Sequence, residues 1–138
     1  MTALAADRIT KAKMTVNEKA YPVKTATKIY AGGMVGIDSA GFAVPALANT
    51  VGMKVVGVAK ATVDNTGADG ALWVNVEEGL FLFAATSITQ AMVGTMMHVV
   101  DDQTFDDVAD VNVVKAGLLL EFVSTTSGWI YVSPRNLI

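Results

Sequence analysis

From Lys19 onward the hydrophobic residues come in short runs rich in Val, Ile, Leu and Phe, separated by Gly, Asn and Asp. No run keeps the three-to-four-residue apolar spacing of a long helix, so the pattern predicts strands joined by tight turns. Ala20–Lys24 is the first, with Pro22 marking a sheet edge because proline cannot donate to a ladder. Met34–Asp38, Ser39–Gly41 and Phe42–Val44 read as a hairpin around a glycine-containing loop. Val55–Val63 reads as one longer strand, with Gly57 at a bulge or a close backbone approach, and Asp64–Gly70 is turn chemistry throughout. In Ala71–Glu77, Leu72, Val74 and Val76 share one face and Trp73, Asn75 and Glu77 the other, which predicts a half-buried strand. Gly79 is expected to turn the chain into Leu80–Ala84, a core strand buried on both faces. Ser87–Val93 is the one predicted body helix, with Ile88, Met92 and Ala91 inward and Gly94 ending it. Met96–Val100, Val113–Val123 and Trp129–Val132 are the closing strands, with Gly117 dividing the second and Ser127-Gly128 turning into the last.

Many short strands at close spacing predict an all-β fold, a small antiparallel β-barrel or sandwich with at most one short helix. Met1–Asn17 shows neither strand alternation nor Gly or Pro, and a free helix of that length is marginal in water. We therefore read residues 1–18 as an extended N-terminal arm and residues 19–138 as a single β-rich domain.

Composition adds partners to this picture. A chain of 138 residues can bury a core without staples, and its lack of cysteine removes disulfide and thiolate chemistry. Hydrophobic residues make up 52% and charged residues only 17%, which predicts apolar surface reserved for neighbours. No apolar run reaches the roughly 18 residues of a membrane span, and Asp7, Arg8, Lys11 and Lys13 fall where a signal peptide would be apolar, so no membrane partner is expected. Charge is divided: residues 1–30 hold six basic and two acidic side chains, net +4, whereas residues 31–138 hold four and eleven, net −7. A basic leader on an acidic, apolar body predicts that Arg8, Lys11 and Lys13 dock the arm on a partner.

Candidate chemistry is sparse. His98 is the single histidine and sits in a predicted strand; without a second histidine or a cysteine it makes neither a zinc site nor a Cys/His pair. Asp101 to Asp110 holds five carboxylates, but lacks the central glycine and closing glutamate of an EF-hand loop, and reads as a solvated surface loop. Gly32-Gly33-Met34-Val35-Gly36 approaches a phosphate-binding fingerprint, yet β-prone residues follow it instead of a helix. Met53-Lys54 resembles the centre of biotin- and lipoyl-carrier domains, but Lys54 opens a strand where those domains present a hairpin tip. The arm carries no aromatic residue before Tyr21 and the body repels phosphate, so nucleic acid is not an expected partner. The expectation is a protein that is not an enzyme, with no catalytic residue, no metal and no cofactor.

Several segments, in order, resemble one family. Met1-Thr2-Ala3-Leu4-Ala5-Ala6-Asp7-Arg8, Lys28-Ile29-Tyr30-Ala31-Gly32 and Gly41-Phe42-Ala43-Val44-Pro45-Ala46 are followed by Val56-Gly57-Val58-Ala59, Val63 to Ala71 and Val100-Asp101-Asp102-Gln103-Thr104. Together they are similar to the capsid cement, or head decoration, proteins of tailed bacteriophages, from residue 1 to about 105 and more loosely to the last strand; Val108–Leu120 and Gly79–Phe83 depart from it. The resemblance implies a virion structural protein, made in the bacterial host cytoplasm and carried on the capsid exterior. It implies a homotrimer that clamps neighbouring copies of the major capsid protein, with no catalytic residues to transfer. On this reading the arm residues Arg8, Lys11 and Lys13 contact the capsid, and Tyr30, Trp73 and Phe81 supply oligomer or apolar contacts. The alternative is a carbohydrate- or ligand-binding β module of a phage particle, for which Trp73, Trp129 and Tyr131 are the available platform.

Overall fold

The structure is a computed structural model that describes residues 2–137; the side chains of residues 13–16, 136 and 137 lie outside the description. It is all-β, built on a closed five-stranded barrel with further strands attached. The strands are β1 (Ala12–Pro22), β2 (Thr27–Ile29), β3 (Met34–Ile37), β4 (Ala43–Pro45), β5 (Lys54–Ala59) and β6 (Val63–Asn65). They continue as β7 (Trp73–Ala85), β8 (Met96–Asp101), β9 (Thr104–Asp106), β10 (Lys115–Ser124) and β11 (Ser127–Val132). Along the main sheet the order is β11-β10-β8-β9-β7-β5-β3-β4, and a β11–β7 pairing closes the first five into the barrel. β1 also pairs with β7, and β2 and β6 form a separate ribbon. Among the described residues, helical geometry is confined to two 3₁₀ turns, Gln90–Met92 and Pro134–Leu137. Among the described residues, no helix is long and apolar enough to cross a membrane.

The 13-residue β7 organises the molecule. Successive side chains of a strand point to opposite faces, and β7 uses both. Val74 and Val76 in its first half enter a small core with Val23, Ile29, Val35, Val56 and Ala59. Phe81, Phe83 and Ala85 in its second half enter the barrel core with Met97, Val99, Phe105, Leu119 and Ile130. β5 lies between the two cores, sending Val55 and Val58 to the barrel and Val56 and Ala59 to the other. An odd–even alternation alone would put Val56 and Val58 on the same side. The register against β3 steps from Val35↔Gly57 to Gly36↔Val55, leaving Val56 as the extra residue of a bulge that reverses the phase. Gly57 is required there, because a Cβ would lie 2.7 Å from the Glu77 carbonyl oxygen.

The β3–β4 hairpin forms where expected, and Asp38 closes its loop by accepting from the Ala40 and Phe42 amides, each at 3.0 Å. Other expectations need correction. β1 begins at Ala12, inside the segment read as an arm of residues 1–18. Val55–Val63 breaks after Ala59, because Asn65 is drawn onto the Val23, Lys24 and Ala68 carbonyls and carries β6 into the ribbon with β2. Gly79 does not turn the chain; it remains within β7, paired with Thr15 on one side and Val132 on the other. Leu72 precedes the strand and is exposed. The predicted helix is one 3₁₀ turn with Ala91 exposed, and the β10–β11 turn falls at 125–126, leaving Ser127-Gly128 inside β11.

Candidate functional site

Residues 2–11 form a strap fastened across the end of the barrel. The Arg8 amide donates to the Ala31 carbonyl at 2.8 Å, and Thr10 Oγ1 donates to the Gly32 carbonyl at 2.5 Å. Gln103 Nε2 reaches the Thr2 carbonyl at 2.7 Å, and Thr62 Oγ1 bonds the Asp7 carboxylate. Gly32 makes this approach possible: its φ is +85° and a Cβ would lie 2.0 Å from the Arg8 carbonyl oxygen. The Arg8 guanidinium turns inward, with Nη2 donating to the Leu82 carbonyl at 3.2 Å and the charge 5.1 Å from the Phe83 ring centroid. Burial lowers its pKa, opposed by the nearby Asp102 charge. Because Arg8 and Thr10 face inward, Ile9 faces out and is 100% exposed, with exposed Lys11 two residues on.

A cleft of about 340 Å³ runs beneath the strap, lined by Arg8, Thr10, Gly32, Lys60, Glu77 and Phe81 among others. At its mouth Lys60 Nζ lies 2.8 Å from Glu18 and 3.1 Å from Glu77, and these bonds raise the lysine's pKa. The ammonium is thus already neutralised by two carboxylates.

The six residues singled out from sequence do not converge. Arg8 and Phe81 share the cleft, but Phe81 is 3% exposed and packs against Phe83 at 6.5 Å between centroids. The expectation that Phe81 offers an outer contact is therefore corrected: alternation along β7 sends it into the barrel's own core. Lys11 is on the surface, and the side chain of Lys13 lies outside the described residues. Tyr30 is half-buried with Lys28 Nζ 5.0 Å from its ring centroid. Trp73 is 58% exposed beside Pro22, eight strand positions or roughly 26 Å from Phe81. Nor do Trp73, Trp129 and Tyr131 share a platform. Trp129 and Tyr131 pair with Leu82 and Leu80 at the far end of β7, and Trp129 is buried.

The acidic run divides by role. Asp101 and Asp102 are buried at the β8–β9 turn, where Asp101 accepts from the Gln103 amide at 3.0 Å. Burial raises the Asp102 carboxyl's pKa, offset in part by the Leu4 amide, and Asp101 adds to the upward push. Asp106 accepts from the Val108 amide at 3.1 Å; burial raises its pKa too, helped by Asp107 and Asp110. Among the described residues, no group of three His, Asp or Glu side chains is placed to hold a metal ion. His98 stands between Lys115 and Asp106 in the cross-strand row, with its Nδ1 buried and unpartnered.

Sequence reasoning missed a second surface. The loops 47–53 and 107–114 lie side by side, braced by the Asn112 amide and Nδ2 donating to Asn49 Oδ1 at 3.0 and 3.3 Å. Of the eleven large hydrophobic side chains exposed among the described residues, five are on these loops: Leu47, Val51, Val108, Val111 and Val113. The signal was present as Val-Ala-Asp-Val-Asn-Val, three valines interleaved with polar residues in a stretch that forms no strand. No family model matches the chain, and neither a curated protein nor a solved structure matches it.

Proposed function

We propose that the protein is a capsid decoration protein, which binds the outside of an icosahedral phage head as a homotrimer and cements neighbouring major capsid subunits. The observation that carries this reading is the wholly exposed Ile9, held outward beside Lys11 on a strap pinned by Arg8 and Thr10. A fixed backbone offering an isoleucine and a cation to solvent has the chemistry of a contact, since little ordering entropy remains to be lost on docking. The family resemblance and the apolar loop surface support the same reading. Several such contacts per oligomer add avidity, and binding only the assembled shell stabilises it by mass action.

The strap's role is consequently different from a free basic arm. Arg8 fastens the strap, while Ile9 and Lys11 make the contact with the coat protein. Titrating the protein onto undecorated heads and measuring occupancy by co-sedimentation tests this. Wild type is expected to saturate the heads, and an Ile9→Asp/Lys11→Glu variant to need at least about tenfold more protein. Equal occupancy by the variant would remove the strap from the contact, and no binding by wild type would end the decoration reading.

A further inference from the structure

We infer that the paired loops 47–54 and 106–115 are where copies of this chain meet, the acidic loop of one copy seating on the lysine-flanked groove of the next. The inference deepens the decoration reading by assigning the self-contact surface, and it is tested without capsids.

Residues 31–138 contain only four basic side chains. Lys60 is held by Glu18 and Glu77, and Arg135 lies 3.6 Å from Glu78. The other two, Lys54 and Lys115, flank one groove of about 280 Å³ together with Gly52, Met53 and Val113. Neither lysine has a carboxylate partner among the described ion pairs. Two lysines outside the described ion pairs, on an otherwise acidic body, are available to an external anion.

That anion is present beside the groove. Asp107 and Asp110 are exposed on the neighbouring loop, interleaved with Val108 and with Val111, which is 96% exposed. The loop therefore offers carboxylates and valines in alternation, and the groove offers lysines around Met53 and Val113. Each half is what the other lacks, and a neighbouring copy brings both. A groove that takes the loop of the next copy is the head-to-tail contact that closes a ring such as a trimer.

The surface is also preformed. Besides the Asn49–Asn112 bonds, the Ala48 amide donates to the Val100 carbonyl at 3.2 Å and the Leu47 amide to Met53 Sδ at 3.4 Å. On the other loop, the Val99 amide holds the Val114 carbonyl at 2.9 Å. Bracing of this kind lowers the ordering cost of association.

Light scattering and sedimentation equilibrium of the isolated full chain test the inference. Wild type should be an oligomer, and Val108→Asp/Val111→Asp should weaken it at least about tenfold. Lys54→Glu/Lys115→Glu and Asp107→Lys/Asp110→Lys should each dissociate, and the chain carrying all four changes should reassemble, because every reversed groove then meets a reversed loop. Reassembly of the fourfold variant also shows that the reversals leave the chain folded. Trp73→Asp, on another surface, should leave the mass unchanged. A monomeric wild type, or an oligomer untouched by both reversals, overturns the assignment. Loop variants that keep the wild-type mass but lose capsid binding would place the coat protein there and overturn it equally. A monomer that still decorates heads would sink this inference and the trimeric state but leave the decoration reading, and an oligomer indifferent to heads would sink only the decoration reading.

Discussion

Leu4 and Asp102 are 98 residues apart in sequence, yet the Leu4 amide donates to Asp102 Oδ1 at 2.9 Å. Asp102 lies in the two-residue turn between β8 and β9, and its carbonyl also accepts from the Met34 amide at 2.8 Å. One turn residue thus ties the strap, the barrel and β3 together.

Asp102 gives stability an unusual pH dependence. Its folded-state pKa is raised, mainly by burial. The native state therefore holds this proton more firmly than the unfolded chain, and the group's contribution is fully present below the ordinary carboxylate range. That contribution is lost as pH rises from about 4 through the folded-state value. Asp38 has the opposite sign. Burial pushes its pKa up, but the Phe42 and Ala40 amides and Lys24 outweigh burial, so its contribution is lost as pH falls. Asp102→Asn should flatten the decline as pH rises from about 4, and Asp38→Asn should flatten the loss as pH falls toward the acid range. Urea unfolding at several pH values checks both.

Arg8→Ala removes the bond to the Leu82 carbonyl and the charge over Phe83. The expected cost is about 1–2 kcal/mol, a fall in Tm of roughly 5 °C by calorimetry. A variant as stable as wild type would show that the strap is not fastened through Arg8.

Asn65 is buried, and its Nδ2 serves the carbonyls of Val23, Lys24 and Ala68 while Oδ1 accepts from the Gly67 amide at 3.0 Å. Asn65→Ala removes the partner of the Lys24 carbonyl and of the Gly67 amide, while the Val23 and Ala68 carbonyls keep the Gly70 and Ala71 amides, and should cost about 2 kcal/mol in denaturant unfolding. Asn65→Asp should be worse, since a carboxylate would face three carbonyl oxygens.

Gly32→Ala meets both a left-handed φ and the Arg8 carbonyl. The strap must lift for the methyl to fit. Faster amide exchange at Arg8, whose hydrogen on nitrogen bonds the Ala31 carbonyl, is the expected readout by NMR.

Much of the fold was legible because strands announce themselves locally. The Met34–Val44 hairpin, the Gly57 bulge and the buried Val74 and Val76 follow from alternation and turn chemistry. The failures were long-range. Gly79 reads as a turn, and only the presence of β1 and β11 on its two sides keeps it extended. Asn65 looked like one more turn residue, because two of the three carbonyls it serves lie some forty positions upstream. The candidate surface was hardest to read. Arg8 carries the charge of a docking residue, but its role follows from Phe83 and Leu82 lying beneath it. Ile9, which looked incidental, is the side chain left facing solvent.

The two hydrophobic centres share β7, each taking one half of it and opposite rows of its side chains. Neither can melt without stripping packing from the strand that supports its companion. Thermal unfolding should consequently be a single cooperative event, with calorimetric and van't Hoff enthalpies in agreement, despite a layout that looks like two subunits in miniature.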